Sequence, residues 1–366
     1  VSIPGGLVPA WGKRQKKSSL KKYLPILIFV CAFLCAQCGK NVIDPVEEDP
    51  MVFSAIASHS TKSIITTTNY PPDQPFVIQA THFGDNDPRG SVFMERQRVS
   101  YNFGEALWKT SEDHFWPAAG TLHFWAGSPD IPEVDVTDEN GTVAHWSVPS
   151  EEYTQTDLCC GEVSENCLSH SAIVPIVFSH ALSQICIKAR TLRNNSYSRS
   201  ENNLVQANII TTVLDSVKLE GIVSEGVFTQ NPKGWTLDRD ARASYTVYKS
   251  DGEGLELGCD RYDTPILTIL GSMLLIPQDM DGEAVIREWH HILVRSSVTD
   301  TSTGEIISDD TNILYRESAL PVKHYCKGWD IDYKYTFRIA VGLEDTELAV
   351  AVTDWTESKE IIIGDE

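Results

Sequence analysis

IDYKYTFRIAV, residues 331–341, alternates from end to end. Tyr333, Tyr335, Phe337, Ile339 and Val341 fall on one side of an extended chain, and Asp332, Lys334, Thr336 and Arg338 on the other. Side chains repeat every two residues in a strand and every 3.6 in a helix, so the segment reads as a half-buried antiparallel strand. LAVAV, residues 348–352, is its expected partner across the loop Gly342-Leu343-Glu344-Asp345. The triplet Ile361-Ile362-Ile363 stands apart beyond it, between Lys359-Glu360 and Gly364-Asp365-Glu366.

The same rhythm runs upstream. Residues 173–178, IVPIVF, form a strongly apolar strand, and Ile185-Cys186-Ile187-Lys188-Ala189 follows. Residues 213–219 place Val213, Val217 and Leu219 inside and Ser216 and Lys218 outside, with Asp215 interrupting the apolar face. Residues 246–248, 266–270 and 273–276 continue the pattern, while polar 190–203 reads as an exposed loop. In the first half, residues 51–57 make a strand with Phe53, Ala55 and Ala57 on one face. Strands at 76–80, 90–94, 99–103, 122–126, 134–137 and 143–148 follow, between turn clusters such as Tyr70-Pro71-Pro72-Asp73. Helical periodicity is scarce. Short strands at this spacing define an all-β sandwich class rather than alternating βαβ units.

Aromatic residues gather in HFWPAAGTLHFWAGSP, residues 114–129, and just before it: Trp108, Phe115, Trp116, Phe124 and Trp125. A row of Trp can form a sugar-binding platform, and large rings also fill the space between two sheets. The alternation of Leu122, Phe124 and Ala126 favours core.

The N-terminal region is of another kind. Lys21 and Lys22 precede an apolar run, residues 24–36, that ends at Gln37-Cys38-Gly39. Thirteen residues fall short of the roughly 20 that a membrane-spanning helix needs. A basic start, a short apolar run and a Cys at its end describe a bacterial lipoprotein signal, cut before Cys38. Residues 1–37 are then leader and signal peptide, and 38–50, GKNVIDPVEEDP after the Cys, an extended tether. Six of the 30 Lys and Arg, and no acid, lie ahead of Cys38, leaving 24 bases against 51 acids, a formal charge of −27. That surface excludes nucleic acid as a partner and adsorption to anionic lipid, so attachment falls to acyl chains. The remaining 329 residues suit two domains of ordinary size, divided as 51–168 and 169–366.

Six Cys follow the signal: Cys159, Cys160, Cys167, Cys186, Cys259 and Cys326. Export permits disulfides, but no connectivity follows from sequence, and no zinc-type spacing is present, so several read as small buried apolar residues. No cofactor or metal is expected. Catalytic signatures are missing: no nucleophile elbow, no phosphate-cradling glycine loop, no helical His pair. His290 and His291 are neighbours on a strand and point to opposite faces. Close acids such as Asp309-Asp310 or Asp238 and Asp240 are expected by chance in so acidic a chain. DMDGE, residues 279–283, reads as a tight turn rather than a calcium loop.

Several stretches, in order, resemble the fimbrillin family of pilus subunits and anchors from Gram-negative anaerobes. They are FSAIA (53–57) with Thr61-Lys62-Ser63 after it, HFWPAAGTLHFWAGSP, and Asp157-Leu158 ahead of VPIVFSHALSQICIKA (174–189). VKLEGI (217–222), GVFTQNPKGW (226–235), LLIPQ (274–278) and GWDIDYKYTFRIAV (328–341) with Trp355 complete the set. The resemblance implies two tandem transthyretin-like, Greek-key β-sandwich domains and a role in building or anchoring fimbriae rather than catalysis. It implies other fimbrial subunits as partners, outer-membrane attachment through a lipid on Cys38, and a host or bacterial surface receptor. In that family, shaft subunits are cut after a basic residue that follows the first strand. The opened groove takes a neighbour's C-terminal strand. Here Lys62 stands where Arg is commoner, and the next Arg is Arg89, which leaves shaft, tip and permanently lipidated anchor as alternatives. Ile361, Ile362 and Ile363 are the candidate donor strand, the alternative being a tail folded onto its own sheet. A surface glycan-binding lipoprotein of an uptake system would share the signal and the sandwiches, and exposure of Trp108, Trp116 and Trp125 separates the two readings. A fatty-acid probe is expected to label the wild type and not Cys38→Ala; continued labelling would move the lipid to Cys35.

Overall fold

The computed structural model describes residues 50–57, 70–84, 87–192, 195–200, 202–259, 264–343, 346–354 and 361–363, with backbone alone at 87, 88, 354 and 361–363. Cys38, the leader, nearly all of the tether, Lys62 and Trp355 lie outside these residues. From Pro50 onward the chain forms one compact unit.

Among the described residues there is no α-helix, and 22 strands carry the fold. They are β1 (Phe53–Ala57), β2 (Phe76–Gly84), β3 (Asp87–Asn102), β4 (Leu107–Thr110), β5 (Thr121–Ser128), β6 (Val134–Thr137), β7 (Gly141–Ser147) and β8 (Cys159–Asn166). Next come β9 (Val174–His180), β10 (Ser183–Thr191), β11 (Ser196–Arg199), β12 (Leu204–Val223), β13 (Glu225–Gln230), β14 (Lys233–Leu237), β15 (Arg242–Lys249) and β16 (Leu255–Glu256). The last are β17 (Thr268–Leu275), β18 (Val285–Asp300), β19 (Glu305–Pro321), β20 (Tyr333–Val341), β21 (Thr346–Asp354) and β22 (Ile361–Ile363). The all-β reading holds.

Strands β1-β4-β3-β2-β5-β8-β9 close into a barrel. Its core is aromatic: Phe53, Phe76, Trp108, Phe124 and Phe178 are fully buried, with Leu122, Ala126 and Ile176 between them. A second core is shared by the mixed sheet β17-β10-β20-β21-β22, the sheet built on β11-β12-β18-β19, and the four-stranded β14-β13-β7-β6. Ile185 and Ile187 of β10, Leu214, Val217 and Leu219 of β12, and Phe337 and Ile339 of β20 fill it. The barrel wall serves both cores. In β5, Leu122, Phe124 and Ala126 point into the barrel while Trp125 joins the second core; in β2, Phe76 and Ile78 point in and Val77 out.

Four expectations shift. The junction expected at 168/169 is crossed by pairing: β9 lies beyond it yet closes the barrel, and β7 before it pairs with β13 after it. An apolar strand advertises burial but not which sheet it joins. The segment 331–341 lies inside a mixed sheet, antiparallel to β21 but parallel to β10, and its other face is also covered, Thr336 being 2% exposed. Residues 190–203 contain β11, wholly exposed, which pairs with the start of β12. The strands expected at 90–94 and 99–103 merge into β3, whose pairing with β2 is broken by bulges.

Strand β12 bends where its ladder shifts register at 219–222, and Gly221 sits there at φ +73°. A Cβ on it would meet the Glu283 carbonyl oxygen at 2.2 Å. Gly304 has nearly the same φ, +74°, but open space around it. Both Ala variants should therefore carry left-handed strain of about 1–3 kcal/mol, and only Gly221→Ala should add a backbone clash. Denaturant titration is expected to show the greater loss at Gly221; equal losses would remove the steric account.

Candidate functional site

The resemblance directs attention to the first strand and the last. β1 is five residues long and buried on both faces: Phe53 and Ala55 are fully enclosed, and Ser54 and Ile56 nearly so. It runs parallel to β9 through five paired residues, Phe53↔Val174 to Ala57↔Phe178, but meets β4 at one pair, Phe53↔Trp108. Two backbone bonds fix its entry: the Met51 amide donates to the His114 carbonyl at 2.7 Å, and the Val174 amide to the Val52 carbonyl at 2.9 Å. The Phe53 ring meets Phe124 edge-on at 6.0 Å. Beside them Tyr70 stacks on Phe178 at 4.8 Å and hydrogen-bonds Ser128 through its hydroxyl. Burial pushes the Tyr70 phenol far up, so it stays neutral. Lys62 follows β1 but lies outside the described residues, the next of which, Tyr70, is buried.

β22 forms the outer edge of the five-stranded sheet, antiparallel to β21, with Ile361↔Val352, Ile362↔Ala351 and Ile363↔Val350. Within the isolated chain the C-terminal triplet is thus paired with its own sheet. The three Trp form no exposed row. Trp108 is 0% and Trp125 7% exposed, and half-buried Trp116 stacks flat on His170 at 3.9 Å.

The titratable residues singled out in the sequence fall into structural roles. His290 and His291 do face apart: His290 Nδ1 meets Glu288 at 2.9 Å in the buried interior, and His291 Nδ1 meets Asp215 at 3.0 Å. Asp309 accepts from Arg295 on the neighbouring strand at 2.8 Å. Asp238 accepts from the Asp240 amide at 3.1 Å within a turn. In 279–283, Asp281 accepts from the Glu283 amide at 3.1 Å and pairs with Arg242, whose hydrogen bond holds its carboxyl below the usual range. The turn reading of DMDGE fits those bonds. The six Cys from Cys159 to Cys326 are free thiols, four of them buried.

One cluster escaped the sequence reading. Asp157, Cys159 and His180 converge, with Cys159 Sγ 3.3 Å from Asp157 Oδ2 and 3.8 Å from His180 Nδ1. It is no nucleophilic triad, because thiol and carboxylate address the same ring nitrogen. Burial first, and Asp157 second, raise the Cys159 thiol well above its ordinary value. Its signal was hidden because strand register, not spacing, assembles it.

The chain is built of sheets packed on a barrel with an aromatic core. The fimbrillin-like family model matches residues 76–355, and the chain belongs to that family. No curated protein matches it in sequence. Among solved structures, it is similar to a candidate cell adhesion protein from Bacteroides uniformis at 14% identity, covering 84% of this chain and 98% of that one, with a TM-score of 0.46. One from Bacteroides ovatus gives 13% identity, 85% and 99% coverage and a TM-score of 0.46. The fimbrial anchor protein Mfa2 from Porphyromonas gingivalis gives 11%, 84% and 98%, with a TM-score of 0.31.

Because Phe53 is fully enclosed by barrel aromatics, Phe53→Ala should cost about 3–5 kcal/mol in chemical denaturation. Phe103→Ala, at a ring 74% exposed, should stay within about 0.5 kcal/mol. Similar small losses at both would mean that β1 does not belong to the core.

Proposed function

We propose that the chain is a structural or adhesive fimbrillin-like subunit of a cell-surface fimbria, in shaft, tip or anchor position. In this reading it is exported as an outer-membrane lipoprotein through Cys38 and assembled by strand addition, with other fimbrial subunits as partners and no enzymatic role. The observation that carries the reading is the mounting of β1: a short strand, buried on both faces, joined to β9 by five pairs and to β4 by one. Losing it leaves a slot between two intact strands, lined by the rings that Phe53 covered. An incoming strand would gain backbone hydrogen bonds from β9 and fill that lining with alternate side chains. β22 is the complementary part, since three residues at a sheet edge cost little to release. The buried Trp108 and Trp125 leave the glycan-platform alternative without its surface.

Two variants test the proposal. Removing residues 358–366 should abolish incorporation into fimbriae while leaving the thermal midpoint of the isolated protein nearly unchanged. A large drop in the midpoint would make the pairing with β21 a permanent part of the fold. Normal assembly by the truncated chain would end donation by this tail. A trypsin-like protease should cut the folded wild type once between β1 and Tyr70, and Lys62→Ala should resist; an uncut wild type that still assembles would leave the anchor role.

A further inference from the structure

The Asp157, Cys159 and His180 cluster has the composition and spacing of a metal site. Cys159 opens β8 and His180 closes β9, and the two are directly paired across this antiparallel ladder, so their side chains share a face. Asp157 lies two residues before Cys159, and its Oδ2 stands 3.3 Å from the Cys159 sulfur on that same face. The Ala181 amide, donating to the Leu158 carbonyl at 2.8 Å, ties the two segments together at this level. Cys159 is 9% and His180 8% exposed.

Three donor atoms, Cys159 Sγ, Asp157 Oδ2 and His180 Nδ1, lie within 4.8 Å of one another. Ligand bonds of about 2.0–2.3 Å at tetrahedral angles separate neighbouring donors by roughly 3.3–3.6 Å. The sulfur-to-oxygen distance of 3.3 Å and sulfur-to-nitrogen distance of 3.8 Å bracket that spacing. The third edge is a direct His180–Asp157 hydrogen bond, which opens to admit an ion. A second observation is independent of these: Asp157 Oδ1 is buried and has no hydrogen-bond partner. Hydrogen bonding inside the cluster leaves that oxygen unused, because both neighbours address Oδ2.

We propose that Asp157, Cys159 and His180 bind a divalent ion of the zinc class, clamping the start of β8 to the end of β9. Sulfur and imidazole ligands exclude calcium and magnesium, which take oxygen. On binding, the Cys159 thiol proton leaves to solvent and the His180 ring proton shifts from Nδ1 to Nε2, freeing Nδ1 to coordinate. Thiolate, carboxylate and a dication then sum to zero charge, which suits a buried place. Asp157 Oδ1 or water completes the four positions.

The test titrates the chelator-treated protein with Co²⁺ and then Zn²⁺. One equivalent of Co²⁺ should give visible bands of tetrahedral cobalt with a thiolate charge-transfer band, and Zn²⁺ should erase them and raise the thermal midpoint. Cys159→Ser should lose the charge-transfer band and His180→Ala should weaken binding at least tenfold, whereas Cys160→Ser, on the opposite face, should bind as wild type. Failure of the wild type to develop the bands overturns the proposal whatever the variants do. Wild-type spectra from folded Cys159→Ser overturn it as well. Should that variant unfold, Asp157→Asn takes its place, with weakened Co²⁺ binding expected and unchanged binding overturning the site.

Discussion

The ladder between β12 and β18 is the interaction on which the second core depends. Sixteen residues of each strand pair, from Leu204↔Asp300 to Glu220↔Val285, and among the described residues only the β18–β19 ladder runs as far. A strand of 20 residues cannot stay flat against one core, because twist accumulates along it. The ladder relieves this with a register shift between Leu214 and Ser216. Asp215, the extra residue there, turns its carboxylate to His291 of β18 at 3.0 Å, so the bulge is held by a side-chain bond. On either side of it β12 takes different partners along its other edge: β11 near its start, β16 just before the bulge and β15 after it. One irregular residue thus lets a single strand serve an exposed hairpin and a buried sheet.

Alternation made much of this legible. Residues 331–341 alternate because Tyr335, Phe337, Ile339 and Val341 do enter the core, and Leu122, Phe124 and Ala126 alternate because they line the barrel. The pattern fails where a strand has no buried face, or two. β19 is exposed along almost its whole length, so residues 305–321 give no apolar rhythm; Arg295 with Asp309 and Arg287 with Glu317 lace its face to β18 instead. β11 is exposed throughout and reads as loop for the same reason. Trp125 and Val77 are buried on the outer side of the barrel wall, and nothing local tells an outer core from an inner one. Parallel pairing of β10 with β20, about 150 residues apart in sequence, is likewise invisible to a period-of-two reading.

The clusters of polar residues show the same division between local and long-range information. The turn at 279–283 could be read from its own residues, since Asp281 bonds the amide two positions on. The opposed directions of His290 and His291 also follow from adjacency alone. Glu288, the partner of His290, is two residues off on the same strand, but the partner of His291 is not local, because Asp215 lies 76 residues away and arrives through the β12 bulge. Asp157, Cys159 and His180 belong to this second kind. Spacing 157–159 sets two of them on one face, but only the register of β8 against β9 brings the third.

That register bears on how the barrel closes. β9 is held by just three paired residues to β8 and five to β1, and β1 reaches β4 through one. Closure is therefore the least hydrogen-bonded part of the barrel, and apolar burial makes up the difference. Phe53 and Phe178 sit on the two closing strands, and Tyr70 and Trp108 pack beside them. Burying side chains of this size contributes about 1.5–3 kcal/mol each, whereas one net backbone hydrogen bond contributes roughly 0.5–1.5 kcal/mol. The seam is thus held by side chains more than by backbone pairing. The close approach of Gly161 to β9, where a Cβ would lie 2.8 Å from the Val177 carbonyl oxygen, keeps β8 tight against β9 although only three of their residues pair.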